Sequence, residues 1–236
     1  MKTKRIFLII GLIIFFSIVW IGQNSAYFEN KTYETLLYIN NGTFGYNSIM
    51  AYSLLFPVPY LIFLINFFHL DTSYRVVRFT KRQSFYKSIV VQILISSLIF
   101  SAIHTLINFV YTCFFINSTI LEDANFWLAC LLNIMSVMFF YTVIGIQFRM
   151  IYDRCNLISV SIFITYLLIG SLYSFVKLFL FDGMWTPLKD FSVFADILKK
   201  QSPFFYLFNV FVRQIFLVFI FYIVGSSTFL KKDYIK

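Results

Sequence analysis

Apolar runs long enough to cross a bilayer recur along this sequence, and nothing constrains its fold more. A membrane-spanning helix needs about 20 consecutive apolar residues. Such runs fall at about residues 6–23, 48–68, 88–116, 126–148, 157–181 and 204–228. They predict an all-α, polytopic membrane protein with six transmembrane helices, in which residues 1–236 form a single transmembrane domain. Only 12% of residues are charged and 60% are hydrophobic, whereas a soluble domain carries about 25% charged residues. The first run follows the basic start Met1-Lys2-Thr3-Lys4-Arg5, as in a signal peptide. It exceeds the usual ~7–15-residue signal core, and no A-x-A cleavage site follows, so it reads as an uncleaved helix.

Charge sets the orientation. With the N-terminus inside, the inside segments hold Lys2, Lys4, Arg5, Arg75, Arg78, Lys81, Arg82, Lys87, Arg149, Arg154, Lys231, Lys232 and Lys236, which is 13 of the 19 basic residues. Seven of the ten acidic residues fall outside. Retention of basic residues on the cytoplasmic side predicts six spans with both termini cytoplasmic. The net charge of +9 is thereby assigned to topology, and no nucleic-acid partner is expected. The expected location is a bacterial cytoplasmic membrane, with the lipid bilayer as the first partner.

Within the second span, Phe56-Pro57-Val58-Pro59 removes two backbone donors and predicts a kink or break. The inside segment from Asp71 to Lys87 reads as a short amphipathic helix, with Arg75, Arg78 and Arg82 on one face. The outer segment between spans five and six reads as a second one. There Thr186 is the N-cap, Pro187 the first helical residue, and Leu188, Phe191, Ala195 and Leu198 an apolar stripe. Arg213 lies deep in span six, where an unpaired charge costs at least about 2.5 kcal/mol. No acid lies within any span, so its expected partners are Asn209, Gln214, Asn108 or Asn133, backbone carbonyls, water, or a second subunit. His104, mid-span, reads as a helix-to-helix hydrogen bond. The scattered Cys113, Cys130 and Cys155 read as free thiols.

Several chemistries have no residues to run them. There is no G-x-x-x-x-G-K-[ST], no H-E-x-x-H, no G-x-S-x-G and no pair of carboxylates within the spans. The chain is not expected to be an enzyme or to bind a metal or cofactor, and without an in-membrane acid it lacks the usual group for proton coupling.

The layout resembles the permease subunits of type-2 (ABC-2) exporters of Gram-positive bacteria, six-span proteins with both ends inside. Arg75, Arg78, Phe79, Lys81 and Arg82 stand where those permeases carry the cytoplasmic coupling helix, and a short outer helix lies between spans five and six. One departure is that only five residues precede span one, too few for an interfacial opening helix. Trp185, Pro187 and Asp190 also form W-x-P-x-x-D, which looks like the signature of a group of small Gram-positive membrane proteins named for that motif. The resemblance implies a permease working as a dimer, with a second copy of itself or a related permease. It also implies a separately encoded P-loop ATPase that binds ATP and Mg. The cargo would be an apolar peptide, an antimicrobial or a lipid-like molecule, with Pro57, Pro59 and Arg213 along its pathway. The competing expectation is a non-transport immunity, sensor or assembly protein that binds a membrane-active peptide or a partner protein.

Overall fold

The computed structural model describes residues 2–28, 31–42, 44–68, 82–179, 185–200 and 203–230. In chain order its α-helices are α1 (Lys2–Asn24), α2 (Tyr33–Asn41), α3 (Pro57–Phe68), α4 (Arg82–Phe115), α5 (Ser118–Asp123), α6 (Phe126–Cys155), α7 (Ile158–Phe179), α8 (Val193–Leu198) and α9 (Phe204–Leu230). No strand occurs among the described residues. Five helices, α1, α4, α6, α7 and α9, are long and apolar enough to cross a membrane. These correspond to all the predicted spans except the second, and they mark the chain as an α-helical, multi-pass membrane protein.

Helix α6 is the centre of the bundle. Its most apolar stretch is 61% buried, against 17% in α1 and α7 and 11% in α9. The peripheral helices expose their remaining apolar faces, as lipid-facing helices do. Helix α1 buries one stripe, Leu12, Phe16 and Trp20, at the i, i+4, i+8 spacing that shares a helical face. Small residues mark two close crossings. A Cβ on Gly145 of α6 would meet Ile93 and the Tyr60 hydroxyl, and one on Gly225 of α9 would meet the Tyr86 hydroxyl. Small residues at helix crossings allow this approach in membranes.

The second apolar run is broken, as its prolines predict. Residues Ala51–Leu55 form a π-turn, and α3 begins at Pro57. The Phe56 N–H donates to the Ala51 carbonyl at 3.0 Å, one residue further back than in an α-helix. Pro57 has no N–H to offer the Tyr52 carbonyl in the same pattern. That oxygen instead accepts from the Tyr141 hydroxyl of α6 at 3.1 Å. Pro59 falls in the first turn of α3, where backbone donors have no intrahelical partner to lose.

Helix α6 runs past the expected end near 148. Arg149 and Asp153, which fall between the predicted spans 126–148 and 157–181, are helical and form a buried pair at 2.9 Å. Their i, i+4 spacing suits a continuing helix. The chain turns at Asn156, which is left-handed (φ 56°) and donates its N–H to the Tyr152 carbonyl at 2.9 Å. Helix α4 likewise starts at Arg82 rather than near 88, so Arg82 to Lys87 belong to its first turns. Arg75, Arg78, Phe79 and Lys81 lie outside the described residues.

One end of the bundle is built from chain that the hydropathy left as loops. Helix α2 is capped by Thr32, whose hydroxyl accepts the Thr35 N–H at 3.2 Å. It folds down on α8, and the Tyr33 hydroxyl donates to the Leu198 carbonyl at 2.5 Å. Amides hold this layer to the long helices. Asn40 Oδ1 accepts from Asn108 Nδ2 at 2.8 Å and Asn47 Nδ2 at 2.9 Å, and Trp20 Nε1 donates to Asn108 Oδ1 at 2.9 Å. Asn133 Nδ2 donates to the Tyr52 hydroxyl at 3.0 Å.

Replacing Asn40 by Leu leaves two buried amide donors without an acceptor. Thermal unfolding of the purified chain in detergent is expected to show a loss of about 1–3 kcal/mol, the cost of unsatisfied buried donors. An unchanged midpoint would mean that the amide ladder does not hold the end layer in place.

Candidate functional site

The segment between α7 and α9 does not lie on the surface of the bundle. Leu188, Phe191, Val193, Phe194, Ile197 and Leu198 are all buried, so the expected surface-lying amphipathic helix is corrected. Three of the residues read as its apolar stripe, Leu188, Phe191 and Leu198, are indeed buried. Phe194 shares their face, while Val193 and Ile197 are buried on another, and burial on more than one face means packing into protein rather than lying at an interface. Helical geometry also starts later than expected. A turn places the Lys189 N–H on the Thr186 carbonyl at 3.0 Å, a 3-10 turn follows at Lys189–Ser192, and α8 begins at Val193. Thr186 is not a side-chain cap, because its buried hydroxyl finds no partner. Phe191 anchors the segment, stacking on Tyr52 at 4.8 Å and meeting Phe140 edge-on at 4.6 Å.

This folding carries Asp190 to the depth of Arg213. Arg213 Nη2 lies 2.7 Å from Asp190 Oδ1, with side-chain exposures of 35% and 2%. The same oxygen accepts from Trp185 Nε1 at 3.2 Å, and the guanidinium lies over the Trp185 ring, 5.5 Å from its centre. Trp185 and Asp190, read as a surface motif, and Arg213, read as a charge in search of a partner, therefore form one cluster. The expectation that no acid could reach Arg213 is overturned. Asp190 belongs to no span, and it reaches the arginine because its segment turns into the bundle.

Gln214, beside Arg213, completes the floor of the cluster. Its Nε2 donates to Ser136 Oγ on α6 at 2.7 Å. Asp190 Oδ2 and Gln214 Oε1 are both buried and accept no hydrogen bond. Burial raises the Asp190 carboxyl above its ordinary value, and the hydrogen bonds and charge supplied by Arg213, together with the Trp185 hydrogen bond, pull it back only in part.

The cluster closes one end of a crevice of about 270 Å³ between α7 and α9, floored by α6. Phe140, Ile144, Leu172 and Phe221 give it apolar walls, Pro187 joins them, and Asp190, Gln214 and Gln147 are its polar lining. Arg213, Pro57 and Pro59 do not themselves line these walls. His104 sits elsewhere, in a cage of rings. It stacks on Tyr46 at 4.3 Å, and both its ring nitrogens lack a hydrogen-bond partner. It does not make the expected side-chain bond between helices. Among the described residues no group of His, Cys, Asp and Glu is arranged to hold a metal.

The approach of Asp190 to Arg213 could not be read from spacing, because it depends on where a loop folds. The available signal was the energetic one, since a deep arginine requires a partner.

Two measurements test the cluster. In a double-mutant cycle on Asp190→Asn and Arg213→Gln, unfolding in detergent is expected to give a coupling of about 0.5–3 kcal/mol. Additive effects would mean that the pair does not hold the segment. Because Arg213 lowers the Asp190 carboxyl, Arg213→Gln is expected to move its titration to higher pH, followed by the infrared band of the protonated acid. A shift to lower pH would contradict the arrangement. Compared as a whole, the chain matches no family model, and no curated protein or solved structure matches it.

Proposed function

We propose that this chain is the permease subunit of an ATP-driven exporter. It crosses a bacterial cytoplasmic membrane six times and works as a dimer with a separately encoded ATPase. The single observation that carries the reading is the segment between α7 and α9. It folds back into the bundle and places Asp190, the buried partner of Arg213, at an apolar crevice. A cargo held there is apolar and enters from the bilayer, in keeping with export or clearance of a lipid-like molecule or an apolar peptide.

Two further features support it. Taken as one crossing, the π-turn and the short apolar helix α3 would bring the five long helices to six. The basic segment from Arg75 to Arg82 then falls on the cytoplasmic side, where an ATPase would dock. ATP and Mg belong to that partner.

A second reading is favoured by one observation. Among the described residues the middle of the bundle is filled by Phe16, Tyr46, Phe56, Phe100 and His104 rather than by a passage. A protein that binds a membrane-active peptide without moving it, as an immunity or sensor protein does, needs no passage.

The readings separate on one experiment. The affinity-tagged chain, isolated in mild detergent from its native host, is expected to bring down a P-loop ATPase. Joint replacement of Arg75, Arg78 and Arg82 by Ala is expected to abolish that association while leaving the chain in the membrane. Purification without an ATPase, or an association indifferent to the three substitutions, refutes the coupling role.

A further inference from the structure

We infer that the exposed side of the Arg213 guanidinium is a binding site for the phosphate of a bilayer phospholipid, one of whose acyl chains lies in the crevice between α7 and α9. As a cargo class this rests on the transport reading; as a binding site it does not.

The guanidinium selects the head. Asp190 takes a single N–H of a group that carries five. The carboxylate is 2% exposed and the arginine side chain 35%, so a molecule arriving from outside the bundle meets the arginine and not the acid. The pair is neutral in sum, but its outward side is a donor-only cation. In hydrocarbon such donors need acceptors, and an oxyanion matches the planar fork of an arginine. Trp185 lies over the guanidinium and is itself exposed, so its ring borders that side.

Depth selects phosphate. Helix α9 has 27 residues and is about 40 Å long, so roughly 5 Å of each end stands outside a hydrocarbon layer about 30 Å thick. Arg213 lies nine residues beyond Phe204, which sets its Cα roughly 8 Å below the nearer surface of that layer. Helical side chains lean towards the N-terminal end, which here is the nearer surface, and an arginine is long enough to reach it. An indole favours the same level. Phosphate is the anion that a bilayer presents there.

The surroundings select a lipid over a second copy. Phe216, Ile220 and Val224 lie on the same side of α9 as Arg213, at i+3, i+7 and i+11, and all three are exposed. Helix contacts within membranes favour small residues, whereas this face is bulky. On the other side of the arginine, its partner Asp190 and its neighbour Gln214 line the crevice. Leu168 and Leu172 line it too and are exposed on the outside of the bundle. An acyl chain descending from a head on Arg213 therefore meets an apolar slot that opens towards lipid.

The test uses the purified chain in dodecyl maltoside micelles, which hold no phosphate. No ATPase is present, so its failure and the failure of the transport reading remain separate. The probe is phosphatidylglycerol with a light-activated diazirine in one acyl chain. Labelling is expected to saturate and to map by mass spectrometry to the crevice walls around Leu172 and Phe221. Unlabelled phosphatidylglycerol is expected to compete. Diacylglycerol with the same chains is expected to compete at least about tenfold less, the effect of one charge-assisted hydrogen bond. Inorganic phosphate at the same concentration is expected not to compete. Arg213→Gln is expected to erase the preference for phospholipid over diacylglycerol. Asp190→Asn, which leaves the arginine's charge uncompensated, is expected to keep or strengthen it, whereas a pair that only held the segment in place would lose it with either change. Leu172→Trp is expected to abolish labelling by filling the crevice. Labelling that does not saturate, that spreads over all the lipid-facing helices, or that survives Leu172→Trp overturns the crevice as the chain's site. Diacylglycerol or a fatty acid that competes as well as the phospholipid, or a preference lost in Asp190→Asn, overturns the phosphate contact. Inorganic phosphate that competes overturns the lipid as its source. A chain that is dimeric in the micelles and takes up no probe overturns the proposal in favour of a second copy.

Discussion

The fold depends on one constraint: a polar group placed among lipid-facing helices must find its partner inside the protein. Three features of the chain are different solutions, while the ring nitrogens of His104 find none. The Tyr52 carbonyl, stranded by Pro57, takes a hydroxyl from α6. The amides of Asn40, Asn47 and Asn108 satisfy one another and tie the end layer to the long helices. The guanidinium of Arg213 takes the carboxylate of Asp190, together with the face and the N–H-bound neighbourhood of Trp185. Water would compete for such groups in a soluble protein, but hydrocarbon offers no competitor, so the partners dictate where the chain goes.

The ion pair has consequences beyond its own energy. Removing the arginine leaves a carboxylate that is 2% exposed without its charge partner, whereas the guanidinium is 35% exposed. The pair adds to the hold on a segment whose own helix, α8, has only six residues and would not persist alone. The buried rings of Phe191 and Phe194 add apolar contact, but the charges fix the depth at which the segment stops. The crevice exists because of that stopping point: Asp190 and Pro187 form its end, and α7 and α9 form its sides.

Much of this was legible in the sequence, and the limit is a physical one. The long helices follow from runs of apolar residues, which the bilayer thickness makes nearly sufficient on their own. The break at Pro57 follows from a missing N–H. The charge on Arg213 announced a partner but did not say which, because hydropathy treats Asp190 as a loop residue and loops carry no depth. The same blindness affected α2, which reads as a polar stretch although Leu36 is buried, and α8, which reads as an amphipathic helix with one apolar stripe although Val193 and Ile197 are buried as well. The helix start at Arg82 and the extension of α6 through Arg149 and Asp153 were missed for a related reason. Charged residues ended the apolar count before they ended the helix.

The order of the pair along the chain carries a consequence for biogenesis. Asp190 precedes Arg213 by 23 residues, so the acid is synthesised first. When α9 begins to enter the bilayer, the segment that will neutralise its arginine has already been made. Helix α6, against which that segment packs, has been made earlier still. Helix α9 therefore brings in a charge whose partner has already been made.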